Sequence, residues 1–156
     1  MKTVRSLAAL LALVLSTPAL AGPLPDGGVT AAEVAAVMQA KGLKAEVTKD
    51  KDGDPMITTG VDGTTFRVLF YGCKSTSRCA AIQFATGIDL PEGLTLETIN
   101  EWNRKNRFGR AYLDEEMDPY LQMDMDLEHG ATSEAVGNNL DTWAVVLPAF
   151  KAYIRK

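Results

Sequence analysis

Residues 120–127, Tyr120-Leu121-Gln122-Met123-Asp124-Met125-Asp126-Leu127, alternate apolar and polar without a break. Successive side chains of a strand point to opposite faces, so a period of two puts Leu121, Met123, Met125 and Leu127 on one side and Gln122, Asp124 and Asp126 on the other. A strand of this kind belongs to a sheet wet on one face, with its Leu/Met face covered by helices.

Upstream, the same period recurs. Ala45–Lys49 alternates, Met56–Val61 is β-prone, Thr64–Tyr71 sets Phe66, Val68 and Phe70 on one face, and Ala80–Thr86 sets Ile82 with Phe84. Turn formers separate these runs: Asp52-Gly53, Pro55, and Asp62-Gly63, the last a two-residue hairpin signal. Residues 45–86 are therefore expected to form a four-stranded antiparallel meander. Arg110–Leu113 reads as a further short strand, and the acidic tract Asp114–Asp118 with Pro119 as a turn.

Three stretches change to helical spacing. Thr30 and Glu33 have the separation of a capping box, Val34, Val37 and Met38 form a stripe and Gly42 is a stop, which predicts a helix over residues 31–41. Thr95 caps a second, with Leu96, Ile99 and Trp102 inward, Glu97, Glu101, Arg104 and Lys105 outward, and Gly109 at its end. Thr132 or Ser133 caps a third that runs towards Ile154 with Val136, Leu140, Trp143, Leu147 and Phe150 inward; Pro148 is expected to kink or interrupt it. The resulting fold class is a single α+β domain, an antiparallel sheet packed against helices in the order α-ββββ-α-ββ-α.

At the N-terminus Lys2 and Arg5 precede the apolar run Leu7–Leu15, and Ala19-Leu20-Ala21 before Gly22 has the small-x-small pattern of a processing site. Residues 1–21 thus read as a signal peptide, 22–28 as a short leader and 29–156 as the domain. The apolar run is about half the ~20 residues that cross a bilayer, so no membrane span is expected after cleavage, and the periplasm or the exterior is the expected location. Loss of Lys2 and Arg5 changes the balance from 16 basic against 20 acidic residues to 14 against 20. An acidic chain lacks the basic footprint that nucleic acid requires. In an oxidising compartment Cys73 and Cys79, with five residues between them at the end of a hairpin, are expected to form a structural disulfide rather than a redox or metal pair.

Few residues offer chemistry. His129 is the single histidine and follows Leu127-Glu128 in a turn, which leaves no zinc cluster or Ser-His-Asp triad to build. Asp50, Asp52 and Asp54 imitate a calcium loop, but Pro55 stands where its glycine is needed and Val61 where its last acid is needed. Asp124 and Asp126 are neighbours on one strand face and could in principle support acid-base hydrolysis, although a solvated sheet face explains them more simply. No catalytic residue, metal ligand or cofactor is assigned. The segment Trp102-Asn103-Arg104-Lys105-Asn106-Arg107-Phe108-Gly109-Arg110 has two readings: asparagines and arginines holding a helix end by backbone hydrogen bonds, or Asn103, Arg104, Asn106, Arg107 and Arg110 as a cationic binding rim.

That segment, continued through Ala111-Tyr112-Leu113, the Asp118-Pro119 turn and Met123-Asp124, resembles the YbjN domain family, a group labelled bacterial sensory-transduction regulators; the resemblance covers roughly Val29–Tyr153. It implies a fold like that of type III secretion chaperones, which commonly dimerise and bind extended segments of partner proteins, and it carries no catalytic residues onto this chain. The expectation is a non-enzymatic periplasmic protein- or peptide-binding domain, chaperone-like or regulatory, with a homodimer as one form. A carboxylate-dependent hydrolase and a structural envelope protein are the alternatives.

Overall fold

The computed structural model describes residues 22–24, 27–74 and 78–155; the signal-peptide reading of residues 1–21 lies outside them. Six strands, β1 (Glu46–Lys49), β2 (Pro55–Val61), β3 (Thr64–Cys73), β4 (Cys79–Gly87), β5 (Arg110–Leu113) and β6 (Pro119–Asp126), form one antiparallel sheet in the order β1-β2-β3-β4-β6-β5. Three helices, α1 (Ala31–Ala40), α2 (Leu96–Lys105) and α3 (Ser133–Tyr153), complete the expected order.

Helix-facing positions of the strands supply the core: Ile57, Phe66, Val68, Phe70, Ile82, Phe84, Leu121 and Met123 are buried. They meet Val34 and Met38 of α1 and Val136, Leu140, Trp143, Leu147 and Phe150 of α3. Trp143 is fully buried between Phe66 and Phe84, with ring centroids 5.6 Å and 5.8 Å away. Trp102 lies 4.9 Å, centroid to centroid, from Phe150. Both tryptophans are core residues, as their helical spacing requires.

The turn chemistry holds as well. Asp62 and Gly63 both adopt positive φ (48° and 69°), the backbone of a tight two-residue hairpin. Asp50 Oδ1 accepts from the N–H groups of Asp52 and Asp54, so the acidic triplet closes the β1–β2 hairpin on itself. The capping box of α1 is present in both directions: Glu33 N–H donates to Thr30 Oγ1 and Thr30 N–H to Glu33 Oε2.

Two expectations need correction, and of a third, that Pro148 kinks or interrupts α3, one alternative is excluded. Leu96 does not face inward and is 70 % exposed; Leu94, just ahead of the Thr95 cap, packs against the core in its place. Helix α2 ends at Lys105, with Asn106 as C-cap, rather than reaching Gly109. Pro148 does not interrupt α3, which runs unbroken to Tyr153. A proline withdraws only the bond its own N–H would make to the carbonyl four residues back, and here the buried row Leu140, Trp143, Leu147 and Phe150 holds the helix on both sides of the gap.

The segment before α1 is tied down at both ends. Leu24 N–H donates to the Ala131 carbonyl and Ser133 N–H to that of Gly22, so residues 22–24 run beside the entry to α3. Val29 exchanges both backbone hydrogen bonds with Cys79, at 3.0 and 2.8 Å. Cys79 is disulfide-bonded to Cys73, its partner across β3 and β4.

Candidate binding face

The helices cover one face of the sheet, and the strand register arranges the other. Across it run the rows Thr58, Arg67, Ala85, Gln122 and Arg110; Met56, Leu69, Gln83 and Asp124; Tyr71, Ala81 and Asp126; and Gly87, Tyr120 and Tyr112. On this face β4 carries Ala81, Gln83, Ala85 and Gly87, which are mostly small, between the longer side chains of β3 and β6. A trough about 20 Å long follows from a rise of ~3.3 Å per residue. Its floor is shielded by the longer side chains beside it: Gln83 and Ala85 keep only 7 % and 9 % exposure on a face that no helix covers.

A hydrogen-bonded bridge crosses the trough. Tyr71 Oη donates to Gln83 Oε1 at 3.2 Å, and Gln83 Nε2 donates to Asp124 Oδ1 at 2.7 Å. Partial burial, and then the charges of Asp124 and Asp50, push the Tyr71 phenol above its ordinary pKa, so it stays protonated and able to donate. Beyond the bridge, the Tyr120 ring lies over Gly87, where a Cβ would sit 2.7 Å from it; only glycine leaves room for the ring. Tyr112 stacks on Tyr120, centroids 5.2 Å apart, and the Arg110 guanidinium is 5.8 Å above Tyr112. Arg110 also donates to Gln122 Oε1, and Gln122 Nε2 donates to Tyr112 Oη.

At the Gly87 end the trough deepens into a concavity of about 300 Å³, bounded by Thr65, Arg67 and Tyr120 and by three loop acids, Asp89, Asp114 and Asp118. Asp114 and Asp118 are engaged in the fold: Asp114 Oδ1 accepts from Glu116 and Asp118 N–H, and Asp118 Oδ1 from Leu90 N–H. Among the described residues no group of three or more His, Cys, Asp or Glu is placed to hold a metal ion.

The residues read as a cationic rim do not form one patch. Asn103 Nδ2 donates to the Ala111 carbonyl at 2.9 Å while Ala111 N–H donates to Asn103 Oδ1 at 2.8 Å. Trp102 Nε1 donates to the Gly109 carbonyl, and Asn106 Nδ2 to that of Trp102. Asn103 and Asn106 thus hold the α2–β5 connection. Arg104 and Arg107 are exposed outside it, Arg107 over the Phe108 ring at 5.1 Å. Of the five, Arg110 reaches the uncovered face. Asp124 and Asp126 are on that face too, but Asp124 accepts from Gln83, Asp126 accepts from Glu128 N–H, and neither lines the concavity.

The sequence reading missed Tyr71, Gln83, Gly87, Tyr112 and Tyr120 as site residues. The small set Ala81, Ala85 and Gly87, alternating with Ile82 and Phe84, is the trace of the trough in the sequence. Among the described residues no helix is long and apolar enough to cross a membrane. Searches among curated proteins and among solved structures return no match. The family model described as "Putative bacterial sensory transduction regulator" matches residues 30–156. The chain belongs to the YbjN family.

Proposed function

We propose that this protein is a non-enzymatic binding domain, exported to the periplasm, whose uncovered sheet face takes a segment of a protein or peptide partner in a regulatory or chaperone-like role. One observation carries the reading: Gln83 and Ala85 are buried on a face without helices, because β3 and β6 raise aromatic and polar walls beside a floor of small residues. An extended chain would lie over the Tyr71–Gln83–Asp124 bridge and reach the concavity at the Gly87 end, with Tyr71, Tyr112 and Tyr120 offering flat apolar area and hydroxyls together. The family description as a regulator supports the same class.

A carboxylate hydrolase would need two acids converging on a cavity. Asp124 and Asp126 are bonded to Gln83 and to a turn N–H and do not line the concavity, and of the three acids that do, Asp114 and Asp118 accept backbone N–H bonds that hold their loops. The test is substitution of the floor. Ala85→Arg fills the trough from its floor on the uncovered face, and crosslinking from native envelope extract is expected to lose a discrete protein adduct that the unsubstituted protein gives. An adduct pattern unchanged by Ala85→Arg, in a variant with unaltered circular dichroism, refutes the trough as the site.

A further inference from the structure

Arg67 stands on β3 beside Ala85 and lines the concavity at the Gly87 end together with Asp89, Asp114 and Asp118. Opposite charges sharing so small a space attract one another and ordinarily pair. Here they do not. Arg67 and Asp89 make no hydrogen bond or ion pair with each other or with any other described residue, and neither Asp114 nor Asp118 makes an ion pair.

The backbone keeps these groups apart. Asp89 is fixed through both its neighbours: Ile88 N–H donates to the Pro119 carbonyl at 3.0 Å and Leu90 N–H to Asp118 Oδ1 at 2.9 Å. Asp114 N–H donates to the Asp118 carbonyl, and Asp114 Oδ1 accepts from the N–H groups of Glu116 and Asp118. Those bonds use one oxygen each of Asp114 and Asp118; the second oxygen of each, and both of Asp89, have no donor among the described residues. Arg67 is held from the other side, on a strand paired with β2 at Thr58 and with β4 at Ala85. A guanidinium on the sheet and carboxylates on pinned loops thus border one void without closing on each other.

The void sets the size and charge of what fits. At about 300 Å³ it lies at the lower limit of small-molecule sites, roughly 300–1,000 Å³, which suits a molecule no larger than an amino acid. Three carboxylates border it against one guanidinium, so a complementary ligand carries one anionic group and more than one cationic group. We propose that the concavity binds a free basic amino acid, with its carboxylate on Arg67 and its ammonium groups towards Asp89, Asp114 and Asp118. A guanidinium can take a carboxylate through two parallel N–H···O bonds, and an ammonium has three donors to share among carboxylates. Acids alone would accept any cation and Arg67 alone any anion; the two together select a molecule that carries both charges.

The test is an NMR titration of the purified protein with L-lysine, in about 0.15 M salt so that attraction at a distance is screened. The backbone amides of Gly87, Ile88 and Asp89 should shift saturably, half-way at about 1 mM, as suits a small ligand held by exposed charges. Cadaverine lacks the carboxylate and norleucine the terminal ammonium, and each should bind about tenfold more weakly or worse. Arg67→Gln should weaken lysine about tenfold without weakening cadaverine, whereas Asp89→Asn should weaken both. The inference is overturned if lysine gives no saturable shift by about 20 mM, or if cadaverine or norleucine matches it. Lysine binding indifferent to both substitutions overturns it too. Equal or tighter binding of Gly-Gly-Lys, whose carboxylate has no free α-ammonium beside it, assigns the concavity to a chain terminus and equally overturns it. Leu69 and Gln122, on the walls of the trough, lie outside the concavity, so crosslinking of a protein segment there succeeds or fails independently of lysine binding.

Discussion

The carboxamide of Asn103 serves as an extra peptide group on the edge of the sheet, donating to the carbonyl of Ala111 and accepting from its N–H at 2.9 and 2.8 Å. With Trp102 bound to Gly109, this gives Trp102 and Asn103 of the most distinctive run a structural role as a seal on β5. Asn103→Ala should cost about 1 to 2 kcal/mol, the scale of two hydrogen bonds whose backbone partners can still reach water. Native-state hydrogen exchange is the sharper readout: the Ala111 amide should lose its protection while those of β4 keep theirs.

The two tryptophans should respond differently to loss of their indole nitrogen. Truncation of either to alanine is expected to cost about 3 to 5 kcal/mol through lost burial and the cavity left behind. Trp102→Phe also orphans the Gly109 carbonyl, whereas the buried Trp143 Nε1 has no hydrogen-bond partner among the described residues. Urea denaturation should therefore rank Trp102→Phe as more costly than Trp143→Phe, relative to the area each change exposes.

The Cys73–Cys79 bridge secures more than its own hairpin. The β3–β4 ladder is interrupted at Gly72, where φ is 61°, and the bridge holds the end beyond that break. From that end Cys79 pairs with Val29, and Arg78 donates to the Gly28 carbonyl and to both carboxylate oxygens of Glu33. Gly28 has no room for a side chain, since a Cβ would lie 2.0 Å from the Cys79 carbonyl oxygen. Replacing both cysteines by serine should lower stability by about 2 kcal/mol on loop-closure reasoning. Faster exchange should appear at Val29 and through the first turn of α1, and not in α2.

Glu33 links that contact to pH. Burial opposes its charge, but the Thr30 backbone N–H and the Arg78 guanidinium outweigh this and hold its carboxyl below the ordinary value of 4.5. A depressed carboxylate contributes stability that is complete above the unfolded-state value and is lost as the pH falls through the folded-state value. Glu33→Gln should therefore destabilise by about 1 kcal/mol at neutral pH, the size of a capping contribution. The difference should shrink to nothing in acid when denaturation midpoints are compared across that window.

Local pattern made most of the fold legible. Alternation assigned Leu121, Met123 and Leu127 inward and Gln122, Asp124 and Asp126 outward, and capping pairs placed the start of each helix. Leu96 misled because it continues the stripe of Ile99 and Trp102, while the chain before the cap puts Leu94 against the core first. The trough could not be read, because it depends on which strands lie side by side. Asp124 meets Gln83 across 41 residues of sequence, and Tyr120 covers Gly87 only because β6 inserts between β4 and β5. The reading of Asn103 and Asn106 as holders of the helix end was available from residue type alone; the pairing with Ala111 was not.

The claim that a protein segment lies in the trough of the uncovered face is tested most directly by site-specific photo-crosslinking in the living cell. A photoreactive residue at Leu69 or Gln122, on the two walls, is compared with one at Val145, which is 72 % exposed on the far side of the molecule on α3. The expected result is a discrete protein adduct from both wall positions, competed away by Ala85→Arg, and none from Val145. Adducts absent from the walls, or equally abundant from Val145, would contradict it.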